Sequence, residues 1–587
     1  MTESRSHNGR AGSPDPASQA KQGGVRRPRP ATSRPGFPRW WLVCASVAAC
    51  GFLVTACSRN RSAATEETTL RLSQRNEPST LDPQVASLPD EFFILRALSE
   101  GLVRPVPEGV AVPPSGVLPA AAEHWEASRD GREWTFHLRP DARWSNGDPV
   151  TAGDFVATIR RALNPALAAP KAPLFFVLRN AEAYYRGTVA DVRQVGATAR
   201  DDHTLVLALE HPAPQLLALA ASGPWLPVHA ATVARFGDAR DSAWTRPGHF
   251  VGNGPFVLSE WRPHEVIVVT RNPLYHDAAR VRVGRIRFQV YDNENTEELA
   301  FRAGQVDVTM AIPVSRLGAY APPVRRVQPL AETRYLALNV RRPPLDDPRV
   351  RRALSLALDR SALVEAVLKG GQTPALTFIP PGLGGYSPGG LPEARGAPEA
   401  EPAAALPRRA AGFRPDEARR LLAEAGFPDG RNFPPLEIST WTNATVLEAV
   451  QGMWRRELGI DVSIALREAK VHAAALRTGD FAVGFVPAIP DYGDASALFD
   501  DFITGAPGNY PRWSSPRYDE LVGEAARTTT PARRLAVERK AEQILLADGL
   551  VIPLYFNAQN LLVAPRVSHW LTDRLWNRCY LDVSVLP

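Results

Sequence analysis

The side chains able to do chemistry are sparse and poorly spaced for it. Eleven histidines are scattered over the 587 residues, with no pair four apart and no H-E-x-x-H, the spacing that sets two imidazoles on one helix face for zinc. No phosphate-binding G-x-x-x-x-G-K occurs, and no nucleophile elbow is read. Gly252-Asn253-Gly254-Pro255 lacks the third glycine of a nucleotide loop and reads as a tight turn. The acid pairs Asp346-Asp347 and Asp500-Asp501 read as caps or solvated loop residues rather than catalytic dyads. These types and spacings point away from an enzyme, and no metal or cofactor is expected.

The cysteines carry one specific signal. The run Trp40–Cys57 (WWLVCASVAACGFLVTAC) is apolar, follows basic residues and ends in small residues before a thiol. That ending, Leu53-Val54-Thr55-Ala56-Cys57, resembles the lipobox of bacterial lipoprotein signal peptides, where the cysteine takes a lipid and becomes the new N-terminus. The alternative is a transmembrane anchor, since Trp40–Ala56 spans about 17 residues, the lower limit for a bilayer. Small residues closing the run favour cleavage. Cleavage removes Cys44 and Cys50 and leaves Cys579, beside Tyr580 and Leu581, as a packed small hydrophobe with no internal disulfide partner.

The formal charge of +6 belongs to the same region. Residues 1–56 hold eight Lys/Arg against two acids, which leaves sixty of each sign in the remainder. A neutral mature chain has no electrostatic reason to bind nucleic acid. Residues 1–39 are rich in Pro, Ser and Arg and read as disordered, and Ser58–Thr68 reads as a polar tether.

Along the chain, Thr69–Ser73 predicts a strand and Phe92–Leu102 a helix stopped at Gly101. Trp134–Arg139 alternates as a half-buried strand, Ala142–Pro149 turns at Asn146-Gly147, and Thr151 with Asp154 caps a helix with Phe155, Ile159 and Leu163 on its apolar face. Strands are expected at Thr204–Leu209, Phe256–Ser259, Val266–Thr270 and Ile286–Tyr291, with helices over Pro212–Ala220 and Asn295–Ala303. Arg334–Val340 is β-prone, and Asp347-Pro348 opens a helix carrying Val350, Ala353, Leu354, Ala357 and Leu358 on one face. Beyond a Pro/Ala/Gly-rich surface insertion at 382–412 come a helix over Asp416–Ala425, a strand at Leu436–Thr440, a helix over Val446–Leu458 and a strand at Val462–Leu466. Such alternation predicts an α/β protein, and 587 residues predict more than one core.

Seven segments, in one order, resemble the extracytoplasmic solute-binding proteins of peptide ABC importers, the oligopeptide/dipeptide-binding family. They are WTFHLRPDARWSNGDPVTAGDF (134–155), DDHTLVLALEHPAP (201–214), GNGPFVLSEWRP (252–263), RNPLYHDA (271–278), DDPRVRRALSLALDRSALV (346–364), ARRLLAEAGFPDG (418–430) and IPLYFNAQNLLVAPRV (552–567). The resemblance implies an α/β, two-lobed periplasmic-binding-protein-like fold with a hinge and an extra small domain. After the leader (1–56) and tether (57–68), it implies a first lobe from 69–102, 226–332 and 553–587, a small domain over 103–225 and a second lobe over 333–552. It further implies a monomer, anchored to a membrane through Cys57, that captures short peptides between its lobes and delivers them to ABC transporter permease subunits.

The resemblance also implies a site. The ligand-facing strand of the second lobe matches Phe485–Tyr492, with Ala488, Ile489 and Asp491, and the first-lobe loop matches Ala86–Leu88, with Ser87 and Leu88. Asp491 falls where the family's aspartate pairs with a peptide's α-ammonium, a charge-assisted bond that fixes register without reading side chains. Departures surround it: the family's tryptophan falls on Ala488, an arginine on Phe485 and a pocket tyrosine on Asn557, while Pro487 and Pro490 remove backbone donors. A roomier site follows, with other solutes (a nickel chelate, an opine, a murein peptide) as alternatives. A periplasmic hydrolase or a structural envelope lipoprotein is the reading from other classes.

Overall fold

The computed structural model describes residues 68–240, 242–388, 412–442 and 444–586. The apolar run, Cys57 and most of the tether therefore lie outside the described residues, as does 389–411 of the expected insertion.

Strand Thr69–Gln74 pairs in parallel with Arg285–Val290, placing Leu70 beside Ile286 and Leu72 beside Phe288. Val266–Arg271 and then Phe256–Arg262 extend this sheet antiparallel. Its apolar face packs with Ile94 and Leu98 of helix Pro89–Leu98 and with Trp570, Tyr580 and Val583 from the chain's end. Cys579 packs half-buried against this core, and burial pushes its thiol up from the ordinary range.

The helix expected over Phe92–Leu102 starts earlier and ends earlier. Pro89 suits the first turn, where a missing N–H loses no bond, and the Glu91 carboxylate accepts from the backbone N–H of Ser87 and Leu88. At its far end the glycine turn, not Gly101, receives the helix. Gly254 N–H donates to Leu98 O at 3.0 Å, and Asn253 exchanges two hydrogen bonds with the Glu100 backbone. A Cβ at Gly252 would lie 2.0 Å from Leu98 O, so close approach of two backbones demands glycine there.

A second sheet orders Ala122–Ala127, Glu133–Leu138, Thr204–Ala208 and Ala197–Asp201, all antiparallel. Helix Ala152–Ala162 starts as the Thr151/Asp154 pattern predicts and buries Phe155 and Ile159 against Phe136, Leu205 and Leu207. The helix expected over Pro212–Ala220 is only Leu216–Ala220, and Pro214 disfavours helical backbone at the residue before it, Ala213. Arg161 clasps the buried Asp82 at 2.6 and 2.9 Å, tying this unit to the loop after the first strand.

The largest sheet runs Thr373–Pro374, Val551–Leu562, Arg325–Leu338, Val483–Ala488, Leu436–Thr440 and Val462–Leu466. It is covered on both faces. Leu336 and Leu338 join helices Pro348–Leu356, Pro415–Glu424 and Thr445–Leu458, while Tyr335 and Ala337 face helices Pro516–Arg527 and Pro531–Ala547. Its two long strands pair from Arg325–Leu562 to Ala337–Val551, with a register break between Pro329 and Thr333. Their outer end reaches the first core, since Val563 bridges Val308, which bridges Leu72.

Two further expectations need correction. The stretch Phe485–Tyr492 is strand only to Ala488, because Pro490 has no N–H to continue the ladder. The segment from 382 does not begin as a surface insertion: Leu383 and Tyr386 are buried, and the Tyr386 hydroxyl donates to the Glu542 carboxylate at 2.5 Å.

Candidate ligand-binding site

Where strand Val483–Ala488 leaves the large sheet, the chain turns through Ile489-Pro490-Asp491-Tyr492 into a cavity of about 890 Å³. That volume is within the range of small-molecule sites. Asp491 and Ile489 line it, and so do Ser87 and Leu88 from the loop before helix Pro89–Leu98. Leu88 and Ile489 are among the few large apolar side chains left exposed, so both present uncovered hydrophobic surface at the cavity.

The turn carrying Asp491 is held from two directions. The Tyr492 ring is buried in the core of the second sheet's unit, and its hydroxyl bonds Ser496 Oγ at 2.9 Å. Asp494 is clamped by Arg534 from helix Pro531–Ala547. Asp491 itself is left facing the cavity, and its carboxylate accepts two bonds from Lys171 Nζ, at 2.7 and 2.8 Å. Lys171 arrives on a loop pinned by a small core of Val85, Leu167, Ala169 and Ala172, next to the Ser87 loop.

Two expected site residues lie elsewhere. The alternation of the strand that places Val486 in the core places Ala488 there too, so its side chain does not line the cavity. Asn557 sits on strand Val551–Leu562 at the register break of the long pair, also away from the cavity wall. Ser87 and Leu88 line the cavity, but their N–H groups are committed to Glu91 and cannot serve a ligand.

Sequence reasoning missed the cations. Arg574 lines the cavity and donates from Nη1 to Pro381 O at 2.7 Å, while its buried Nε has no partner among the described residues. Among the described residues Arg96 donates to neutral oxygens, Asn577 Oδ1 and Ala221 O. Burial pulls both guanidinium pKa values down, as expected of cations held without a carboxylate in contact. Trp576 and Phe92 add aromatic wall. The cluster Arg574-Leu575-Trp576-Asn577 was visible in the sequence, but nothing there says which cavity it borders.

One letter pattern escapes the sequence reading: Gly385-Tyr386-Ser387-Pro388-Gly389 fits G-x-S-x-G. It is no nucleophile elbow. Gly385 ends a 3₁₀ turn rather than a strand, Tyr386 points into the core, and the Ser387 carbonyl accepts from Arg539.

Comparison with known proteins agrees with this architecture. Residues 116–510 match the model of bacterial extracellular solute-binding proteins, family 5 (middle region). The probable deoxycholate-binding periplasmic protein YgiS of Escherichia coli K12 is 33% identical over 508 residues, covering 85% of this chain and 90% of that protein. The solved murein tripeptide binding protein MppA of Escherichia coli superposes with a TM-score of 0.74 at 30% identity, over 89% of this chain and 99% of that one. Haemophilus influenzae OppA, solved with the peptide RPPGFSPFR, gives 0.73 at 30% identity over 89% and 99%. These likenesses give the chain the two-lobed fold of that class, whose members bind solutes and are not enzymes. On family match, identity and fold together, the chain belongs to the bacterial extracellular solute-binding proteins of family 5.

Proposed function

We propose that this protein captures short peptides in the periplasm and delivers them to an ABC importer. The observation that carries the reading is the cavity of about 890 Å³ into which the fixed turn directs Asp491 while Leu88 and Ile489 offer apolar surface. The names of relatives support it, being those of an oligopeptide-binding and a murein tripeptide binding protein. The lobes comprise 69–102, 226–332 and 553–587 on one side and 333–552 on the other, with 103–225 as the small domain. Closure hinges on the long strand pair at its register break between Pro329 and Thr333, where ligand selects the closed state. Asp491 marks the end of the cavity that receives the peptide's amino end, and Arg574 receives its carboxylate. A lipid on Cys57 tethers the monomer to a membrane, raising its concentration near the permease.

A second reading, an amphipathic carboxylate, is favoured by Arg574, whose guanidinium borders the cavity with no ion-pair partner among the described residues; the name of YgiS is of that kind. Native mass spectrometry of the mature protein as purified separates the two. A ladder of short-peptide masses supports the first, and a single acidic lipid or sterol mass replaces it with the second.

A further inference from the structure

Lys171 puts its own ammonium opposite Asp491, in the place that the peptide reading gives to the ligand. Its Nζ lies 2.7 and 2.8 Å from the two carboxylate oxygens, so the carboxylate's charge is already balanced by a cation of the protein itself. The pair is only partly exposed, at 27% and 40% of the two side chains, and lines the cavity rather than the outer surface.

The residue type is telling. The chain has five lysines among 68 basic residues, so arginine is its ordinary cation and lysine here is against habit. An ammonium is a compact point charge with three donors, the side-chain copy of a peptide's α-ammonium, whereas a guanidinium is a planar fork. Nor does Lys171 swing on a loose loop. Pro170 and Pro173 flank it, Ala172 is buried, and Phe175 stacks on Trp225 at 4.6 Å. A ligand ammonium reaching Asp491 meets a carboxylate whose charge Nζ already balances, with the lysine beside it as a like charge, an element that repels one ligand class.

We propose that Lys171 is the specificity-determining residue of this site. It turns the site against peptides with a free amino terminus and toward peptides whose amino terminus is acylated and uncharged. The inference rests on the peptide reading of the cavity. An N-acyl group leaves the Lys171–Asp491 pair intact and meets it with an amide carbonyl, an acceptor for the third Nζ proton.

The test compares one pool of tripeptides with the same pool after N-acetylation, by calorimetry and thermal shift. Wild type, Lys171→Met and Lys171→Gln are measured after circular dichroism confirms folding, the Gln variant guarding against a misfolded Met variant. Wild type is expected to favour the acetylated pool, and loss of the lysine to swing the preference toward free amines by about tenfold or more. A wild-type preference for free amines that both variants leave unchanged overturns the proposal and leaves the peptide reading standing. Failure of both pools to bind any of the three proteins overturns both.

Discussion

Arg534 and Asp494 form a two-pronged ion pair on the cavity wall, Nη1 to Oδ2 at 2.8 Å and Nη2 to Oδ1 at 2.5 Å, with both residues buried. The same Oδ1 accepts from Ser496 N and Oγ at 3.0 and 2.7 Å, so one carboxylate organises the turn just after Asp491. Arg534→Met would leave that carboxylate charged, buried and without its cation. Breaking such a pair costs roughly 3–5 kcal/mol. Urea unfolding should show a loss of that size together with weaker ligand binding. A fully stable variant that still binds would show that the turn is held by Tyr492 alone.

Glu538 is the second carboxylate on the same arginine, 3.1 Å from Nε. Burial pushes it up to about 7 against the pull of Arg534, with Asp494 adding to the rise. The folded protein therefore holds this proton more tightly than the unfolded chain, whose glutamate titrates near its ordinary 4.5. Between those values stability falls as pH rises, by roughly 3 kcal/mol in all. Glu538→Gln should flatten this dependence and stabilise the protein at neutral pH. Melting temperatures at about pH 5 and about pH 7.5 check it; an unchanged difference between them in the variant would count against the assignment.

Gly254 lets the end of helix Pro89–Leu98 close onto the sheet. A Cβ there would fall 2.5 Å from Leu98 C and Ser99 N, both backbone atoms that cannot step aside like a flexible side chain. Gly254→Ala should lose about 1–3 kcal/mol, the range for forcing extra volume into packed structure. Chemical denaturation measures it, and neutrality would mean that the helix end is free to shift.

Arg574 is the cation we assign to the ligand's carboxylate. A charge-assisted hydrogen bond in a partly buried site contributes about 1.5–3 kcal/mol. Arg574→Gln should weaken peptides with a free carboxylate by about tenfold or more, and C-terminally amidated peptides much less. Equal weakening of both by calorimetry would place the carboxylate elsewhere.

Cys57→Ser should abolish incorporation of labelled fatty acid and move the protein from the membrane to the soluble fraction. Labelling retained in the variant would remove the lipid from the proposed mechanism.

Several elements were legible because their cause is local. The Thr151/Asp154 capping box, the alternation of Trp134–Leu138 and the acidic cap before Pro348 each depend on neighbours within a turn or two. Element ends were less legible. Helix Pro89–Leu98 ends where it meets the Gly252–Gly254 turn, more than 150 residues along the chain, a contact that propensity does not encode. The site divided in the same way. Resemblance pointed to Asp491 and to Ser87 and Leu88, which do border the cavity. It also pointed to Ala488, whose direction the pleat of the strand decided, and to Asn557, which lies at the register break instead.

The sequence by itself determined the α/β alternation, the charge asymmetry of the leader, the lack of zinc-site and phosphate-loop spacings and the family resemblance, all properties of composition and short-range pattern. Only the tertiary structure decided what faces Asp491. Lys171 lies 320 residues away, and no local period links the two. Their meeting follows from how the Val85–Leu167–Ala172 core seats one loop and how Tyr492 and Asp494 seat the other. Ionic partners across a cleft are set by the packing of separate cores, because charge has no periodicity of its own to be read from a chain.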